Sequence, residues 1–282
     1  PPAIPRAIPR ARLYLDPATA CAAVARSLLA RHQRAESASV VARFESACAR
    51  HFGVRHAVVV ARARVAWQLV LAWLDLPAGS DVLMTPVTIP DIVNAVIDAG
   101  LRPVFVDLGE RTGNVDVEAL EARLGPRSRA LLVTPLCGLV PDMAGIEEIA
   151  HRHGLALVED ISQALGGRAG ERQLGSFGVA AFASLTTLKP LSTFRGGLLL
   201  TDNDDLAASV RGADAAMPTA ARTALVGLLL RDLILAGATT RAVFSKVGFA
   251  LTEVAERNTA SWLAAIERGR LWPGTASDYA VE

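Results

Sequence analysis

Short apolar runs alternate with amphipathic stretches between about residues 54 and 202. Several of these runs are too continuously apolar for a strand with one covered face, and are typical of strands buried on both faces. The runs are His56–Val60, Asp81–Met84, Pro103–Val106, Ala130–Thr134, Leu155–Glu159, Val179–Ala183 and Leu198–Thr201. Helical patterns lie between most of them, at Ala63–Leu74, Pro90–Ala99, Val117–Leu124 and Met143–His153. This alternation predicts an α/β fold with a mostly parallel seven-stranded sheet between helices.

The flanks of this region have a different pattern. Two amphipathic helices, Pro17–Arg31 and Val40–Phe52, are predicted before it, and after Asp204 the pattern is helical without a strand signal. The proline- and arginine-rich start lacks the apolar core of a signal peptide and is interpreted as an extended arm. We therefore expect three regions: an arm and helix at 1–39, a large domain at 40–211, and a helical region at 212–282. The last is expected to be reduced or incomplete, since no closing element ends it.

Composition narrows the function classes. The 282 residues carry a formal net charge of +1 and only 5% aromatics, which argues against a nucleic-acid partner. Half of the residues are hydrophobic, 51%, so the chain has ample material for a buried core. The three cysteines are widely spaced, so neither a disulfide framework nor a metal site is predicted. A reduced, cytoplasmic setting is the default expectation.

The most apolar segment, Ala224–Ala238, leaves two interpretations open. Arg231 and Asp232 interrupt it, and it is shorter than the roughly 20 residues that a membrane-spanning helix needs. One interpretation is a buried or interface helix. The other is a helix that lies against a bilayer surface, which would make the protein membrane-associated through a peripheral contact.

Two residues near strand ends are candidates for chemistry. Asp160 follows a strand at its carboxyl end, where ligands bind in open α/β sheets; an aspartate there can hold a protonated heteroaromatic nitrogen, bind a metal or cap a helix. Lys189 lies in a hydroxyl-rich loop between two apolar strands, and the chain has only one other lysine, Lys246. Lysine can form an imine once its pKa is lowered, whereas arginine stays protonated. A surface lysine on a turn is the alternative. Together the two side chains supply both ends of a pyridoxal-phosphate site.

Residues from about Phe44 to Arg211 resemble the large domain of the DegT/DnrJ/EryC1/StrS aminotransferases, which use pyridoxal phosphate and aminate nucleotide-linked keto sugars. The resemblance rests on the stretches FGVRHAVVV, RPVFVDLGERTGNVD, PDMAGIEEIAHRHGLALVEDISQALGG, GSFGVAAFAS and KPLSTFRGGLLLTDNDDL. It implies a fold-type-I large domain at 40–211, the cofactor pyridoxal 5′-phosphate, and transfer of an amino group from an amino acid to a sugar-type carbonyl acceptor. It also implies a homodimer.

The resemblance assigns roles to single positions. Lys189 matches the Schiff-base lysine, Asp160 the carboxylate at the pyridine nitrogen, and Gln163 the residue beside the ring or its O3′ oxygen. Ser184 matches a serine that contacts the phosphate. The family's Ser-Gly-Thr phosphate turn is replaced by three residues that either bind the phosphate by charge or block the usual cradle. They are Arg62, Ala63 and Arg64.

Further departures replace polar or aromatic groups by apolar ones. The segment that carries a ring-stacking aromatic in the family has only aliphatics between Thr85 and Pro90, and the loop from Pro135 to Val140 lacks the usual tyrosine. Cys137 in that loop is expected to be a buried structural thiol. Pro190 and Arg195 replace an asparagine and an acidic residue. These changes favour a less polar acceptor, including a lipid-linked one.

Two alternatives to amino transfer stay open at this level. The altered phosphate turn is compatible with a non-catalytic scaffold or partner protein that keeps the aminotransferase fold. The same cofactor also supports elimination or dehydration, although some relatives with that chemistry replace the lysine that this chain keeps.

Overall fold

A seven-stranded sheet organises the chain between residues 34 and 217. The computed structural model describes residues 34–217 and 222–240, with the isolated positions 18, 19, 21, 22, 25, 243 and 244. The helices are α1 Arg34–Phe52, α2 Ala63–Leu74, α3 Pro90–Asp98, α4 Val117–Arg123, α5 Met143–Arg152, α6 Asp204–Ala216 and α7 Arg222–Ala238. The strands are β1 His56–Val60, β2 Asp81–Met84, β3 Arg102–Phe105, β4 Ser128–Val133, β5 Ala156–Asp160, β6 Arg168–Ala169, β7 Arg172–Gln173, β8 Ala180–Ser184 and β9 Gly197–Thr201.

The main sheet has the strand order β1–β9–β8–β5–β4–β2–β3. Strand β9 is antiparallel to both of its neighbours, and all other neighbouring pairs are parallel. Consecutive residues of a strand enter opposite faces: Leu83 joins one core cluster, whereas Val82 and Met84 join the other. The strands are therefore covered on both sides, and the mostly parallel sheet that the sequence predicts is confirmed.

Most predicted boundaries agree with the structure to within two residues. Helix α1 begins at Arg34, six residues before the predicted start. The hairpin of β6 and β7 is not predicted from the sequence, because its two-residue strands are too short to show an alternation. Its turn contains Gly170 with φ +59°. The predicted helix Pro17–Arg31 lies outside the described residues, apart from isolated positions.

Edge strand β1 is held by side chains on its open side. Glu45 of α1 accepts the Val59 N–H over 2.8 Å and an Arg211 N–H over 2.7 Å. Asp214 of α6 accepts the Ala61 N–H over 3.2 Å. These bonds satisfy backbone groups that a bare edge would present to another chain. They also fix the segment that leads into the start of α2, which borders the site described below.

Residues 33–218 form one compact unit, and α7 belongs to a second. In α7 Leu230 and Ile234 are exposed, whereas Asp232 is buried. None of the helices that the structure describes is long and apolar enough to cross a membrane. The domain limits at 39 and 211 stay predictions.

Candidate active site

A cleft of about 550 Å³ opens where β2, β4, β5 and β8 reach their carboxyl ends beside the start of α2. Its size is in the range of small-molecule sites, and its position is the usual one for ligands of open α/β sheets. All seven residues that the sequence predicts for the site line it: Arg62, Ala63, Arg64, Asp160, Gln163, Ser184 and Lys189. The fold thus brings together side chains that lie up to 127 positions apart in the sequence.

Asp160 is the last residue of β5 and is almost completely buried. Its Oδ1 atom accepts the Ser162 N–H over 3.0 Å. Burial raises the pKa of Asp160, while the hydrogen bonds from Ser162 and the charge of Lys189 act in the opposite direction. A buried carboxylate of this kind gains most from a ligand that brings a positive charge or an N–H donor to it.

Lys189 lies in the loop between β8 and β9 and is half-buried. The Lys189 N–H donates to the Thr186 carbonyl over 2.9 Å, so the lysine sits on a tight turn. Two further bonds close the loop, from Leu185 N to Gly196 O and from Thr193 N to Leu185 O, both of 3.0 Å. Phe194 has φ +70°, a conformation that bulky residues rarely adopt. The loop is therefore closed at its base, and the lysine is held on the cleft wall.

The start of α2 forms another wall, and a glycine allows its close approach to β9. A Cβ atom at Gly197 would lie 2.4 Å from the Ala63 nitrogen and 2.5 Å from the Arg62 carbonyl carbon. No other residue fits this contact without a shift of the backbone. Helix α2 begins after Arg62 without a side-chain cap. Its first residues, Ala63 and Arg64, line the cleft, and the N-terminus of a helix favours an anion.

Arginines give this end of the cleft a positive charge. Burial lowers the pKa of Arg62, repulsion from Arg64 and Arg195 lowers it further, and Asp91 raises it. Arg64 forms an ion pair with Asp91, in which both side chains are mostly buried. Two other cations therefore repel Arg62, and an added anion with two charges would relieve this repulsion.

The remaining wall is apolar. Val87 and Ile89 line the cleft and are about half exposed, 52% and 57%, so the predicted aliphatics do lie where a ligand would touch them. The expectation for Cys137 is wrong: its thiol is exposed, because the residue sits in a left-handed turn with φ +53° outside the sheet. Its N–H donates to Gln163 Oε1 over 3.5 Å. This contact ties the loop after β4 to the cleft rim.

Sequence reasoning missed several polar groups of the cleft: Asp91, Thr134, Ser162 and Thr186. A local signal existed only for Ser162, since an aspartate two residues before a serine often forms a turn of the kind seen here. The Arg64–Asp91 pair spans 27 residues, and a contact of that kind leaves no local pattern.

The comparisons with known proteins agree with this geometry. A model of the DegT/DnrJ/EryC1/StrS aminotransferase family matches residues 20–222. The chain belongs to this family. The predicted fold-type-I aminotransferase large domain is thereby confirmed, because solved aminotransferases share the same architecture.

Three relatives illustrate the likeness. GDP-perosamine synthase of Caulobacter vibrioides is 36% identical over 171 residues, which are 61% of this chain and 46% of that protein. The crystal structure of DesI in the presence of its TDP-sugar product matches with a TM-score of 0.61 at 32% identity, over 71% of this chain and 50% of that one. The aminotransferase TlmJ of Streptoalloteichus hindustanus matches with a TM-score of 0.67 at 27% identity, over 81% of this chain and 66% of that one. The chain spans about half the length of the curated relatives it matches.

Proposed function

We propose that this protein is a pyridoxal-phosphate-dependent aminotransferase that moves an amino group from an amino acid to a keto sugar nucleotide or a related carbonyl acceptor, lipid-linked acceptors included. The observation that carries the proposal is the meeting of Lys189, Asp160 and the Arg62 segment in one cleft of suitable size. Family membership supports the same reaction class. The names of the relatives, a GDP-perosamine synthase and DesI with its TDP-sugar product, support a sugar nucleotide as the acceptor.

The residues of the cleft fit the cofactor. Its phosphate matches the cations at the start of α2, its aldehyde matches the Lys189 amine, and its ring nitrogen matches the buried Asp160 carboxylate. The bound cofactor would supply an electron sink for the carbon that exchanges the amino group. Arg62, Ala63, Arg64, Gln163 and Ser184 are proposed to hold it.

Each side chain then has a definite task. Lys189 would hold the aldehyde covalently and, once released from it, carry a proton at its Nζ atom. Asp160 would keep the ring nitrogen protonated, and the hydrogen bonds from Ser162 favour its carboxylate form and hold it in place. Ser184 and Thr186 hydroxyls, 3.0 Å apart, would face the phosphate side. The aliphatic wall at Val87 and Ile89 would exclude water from the reacting atoms.

A spectrum of the purified chain tests the proposal. Added pyridoxal phosphate should produce a visible absorbance band, and borohydride should fix the cofactor mass on the peptide that contains Lys189. Lys189→Arg keeps the positive charge and cannot form the imine, so it should bind without the band and without the fixed mass. A wild-type protein that shows neither signal would overturn the proposal. A panel of amino acids added to the yellow protein should identify the donor by loss of the band.

Assembly and location follow as proposals of their own. We expect a homodimer in the cytoplasm, and a peripheral membrane contact through Ala224–Ala238. Light scattering of the purified chain checks the dimer. Co-sedimentation with anionic liposomes checks the membrane contact; Ile234→Ser removes an apolar side chain that is 71% exposed without adding a charge, and should weaken the contact.

A non-catalytic scaffold is the second candidate, and one observation favours it. Asp91 pairs with Arg64 and so neutralises part of the charge that would attract a phosphate. If the protein is a scaffold, it should not bind pyridoxal phosphate at any usable concentration. A Lys189→Ala variant should then function normally in the native organism. The spectrum described above decides between the two.

A further inference from the structure

Thr134 carries a buried hydroxyl that lacks a hydrogen-bond partner. The residue follows β4, lines the cleft and is only 3% exposed. Among the residues that the structure describes, none forms a hydrogen bond with its Oγ1. Its backbone is well held, since Thr134 N donates to Thr85 Oγ1 over 3.1 Å. A buried hydroxyl without a partner costs folding free energy, so a bound ligand that satisfies it would gain affinity.

The register of the sheet places this hydroxyl beside Asp160. Val133 of β4 lies opposite Glu159 of the parallel strand β5, so Thr134 and Asp160 are the next pair along. Neighbouring strands are about 4.8 Å apart. Gln163, the residue expected at the ring or its oxygen, is exposed at the rim, and its Oε1 accepts the Cys137 N–H. The buried hydroxyl and the proposed carboxylate therefore lie on neighbouring strand ends, whereas the Gln163 side chain is exposed and bound to the loop after β4.

The chemistry of the cofactor selects the atom that this hydroxyl would meet. The phosphate, the aldehyde and the ring nitrogen are matched by the arginines, by Lys189 and by Asp160. The phenolic oxygen is the remaining strong acceptor on the ring, and a threonine hydroxyl is a donor. We propose that the Thr134 hydroxyl donates a hydrogen bond to the phenolic oxygen of the pyridoxal ring and so sets the orientation of the ring. This inference rests on the function proposed above.

Two isosteric variants separate this role from a structural one. Thr134→Val removes a hydroxyl that has no partner in the ligand-free protein, so the melting temperature without cofactor should stay the same or rise. Thr85→Val removes the acceptor of the Thr134 N–H, so it should lower that melting temperature. In a titration followed by the visible band, Thr134→Val should raise the Kd for pyridoxal phosphate about tenfold. Thr134→Ser should restore the affinity.

An analogue locates the contact. With 3-deoxypyridoxal 5′-phosphate, which lacks the phenolic oxygen, wild type and Thr134→Val should bind with the same Kd. A penalty that persists with the analogue would overturn the proposed contact, as would equal binding of the natural cofactor by both proteins; in either case the proposed function stands. A wild-type protein that binds neither compound would overturn the proposed function and this inference with it.

Discussion

The Ser184 N–H donates to the Ser162 hydroxyl oxygen over 2.9 Å. This bond joins the carboxyl ends of β8 and β5, the two strands that carry the lysine loop and the buried aspartate. Ser162 in turn donates its N–H to Asp160 Oδ1 over 3.0 Å. The two halves of the proposed cofactor site are therefore connected by one continuous set of hydrogen bonds, and Ser162 is its middle member.

Ser162→Ala should weaken both stability and cofactor binding. The substitution leaves the Ser184 N–H without its acceptor in a buried place, which should cost about 1–3 kcal/mol of unfolding free energy. Because Asp160 also loses the hydrogen bond from the Ser162 hydroxyl, the affinity for pyridoxal phosphate should fall as well. Urea denaturation and a cofactor titration measure the two effects.

Ser128→Ala is the matched control for this variant. The Ser128 hydroxyl accepts the Gly125 N–H over 3.0 Å at the start of β4, the end of the strand away from the cleft. The Ser128→Ala substitution should lower the unfolding free energy by a similar amount and leave the cofactor affinity unchanged. Equal loss of affinity in both variants would show that Ser162 acts only through general stability.

The sequence predicts the strands and the key side chains because both leave local signals. Strands buried on two faces, such as the one that contains residues 130–133, are continuous apolar runs, and Lys189 is conspicuous in a chain with so few lysines. The hairpin at Arg168 and the unpaired hydroxyl of Thr134 leave no such signal. A two-residue strand has no period, and an unsatisfied atom is defined by its surroundings in space.

The arginine-rich start of α2 illustrates the same limit. The replacement of the family's turn is visible in the sequence, but its consequence depends on Asp91, which the fold brings to Arg64 from the next helix. Helix propensities and sequence motifs describe residues that are close along the chain. The Arg64–Asp91 pair instead forms because α2 and α3 pack against each other. The electrostatics of the phosphate end could therefore be derived only from the structure.

Gly197→Ala should deform the phosphate end of the cleft. The added methyl group would meet the Ala63 nitrogen and the Arg62 carbonyl carbon at distances below 3 Å, so the start of α2 must move away from β9. We expect a loss of about 2 kcal/mol or more in unfolding free energy and a clear loss of phosphate affinity. Chemical denaturation and calorimetric titration with inorganic phosphate report the two quantities.

Gly212→Ala gives the opposite expectation for the same change. Gly212 lies inside α6, and a Cβ atom there would meet nothing within 4 Å. The unfolding free energy should rise by up to about 1 kcal/mol with no change in phosphate affinity. If Gly197→Ala behaved like Gly212→Ala, the close contact between α2 and β9 would not matter for the site.

Arg62→Ala and Asp91→Asn should change phosphate binding in opposite directions. Removal of Arg62 takes away a cation that faces the cleft, so the Kd for pyridoxal phosphate should rise about tenfold or more. Asp91→Asn removes the carboxylate that pairs with Arg64 and should lower the Kd. Titrations at two salt concentrations check the electrostatic origin, because both differences should shrink at high salt.

A surface arginine provides the control for this pair of variants. Arg129 is exposed and donates to the backbone carbonyls of Pro126 and Ser128. Arg129→Ala changes the net charge by the same amount as Arg62→Ala and should leave the Kd unchanged. A comparable shift in the Arg129 variant would mean that overall charge, rather than the cleft, governs phosphate binding.

The ligand-free Asp160→Asn variant should become more stable relative to wild type as the pH rises, although it binds the cofactor more weakly. The folded-state pKa of Asp160 is raised by burial, so the folded protein holds this proton to a higher pH than the unfolded chain does. Its contribution to stability is therefore fully present below the ordinary aspartate pKa and is lost as the pH rises through the raised value. Asparagine does not titrate, so the advantage of the variant should grow across that window. Glu159, whose pKa burial also raises, is present in both proteins and cancels.

Asp81 supplies a contrast of opposite sign. Its hydrogen bond and charge contact with Arg102 lower the pKa of Asp81, so its contribution to stability is present above the ordinary aspartate pKa and is lost as the pH falls. Asp81→Asn should therefore be less stable than wild type at neutral pH, with a deficit that shrinks in acid. Urea denaturation of wild type, Asp160→Asn and Asp81→Asn between about pH 4 and pH 8 measures both trends.

The Asp160→Asn variant should also bind pyridoxal phosphate about 10–100-fold more weakly than wild type, because a charge-assisted hydrogen bond to the ring nitrogen is lost. Parallel pH profiles for the two variants would contradict the raised pKa of Asp160, and an unchanged cofactor affinity of Asp160→Asn would contradict its assignment as the partner of that nitrogen.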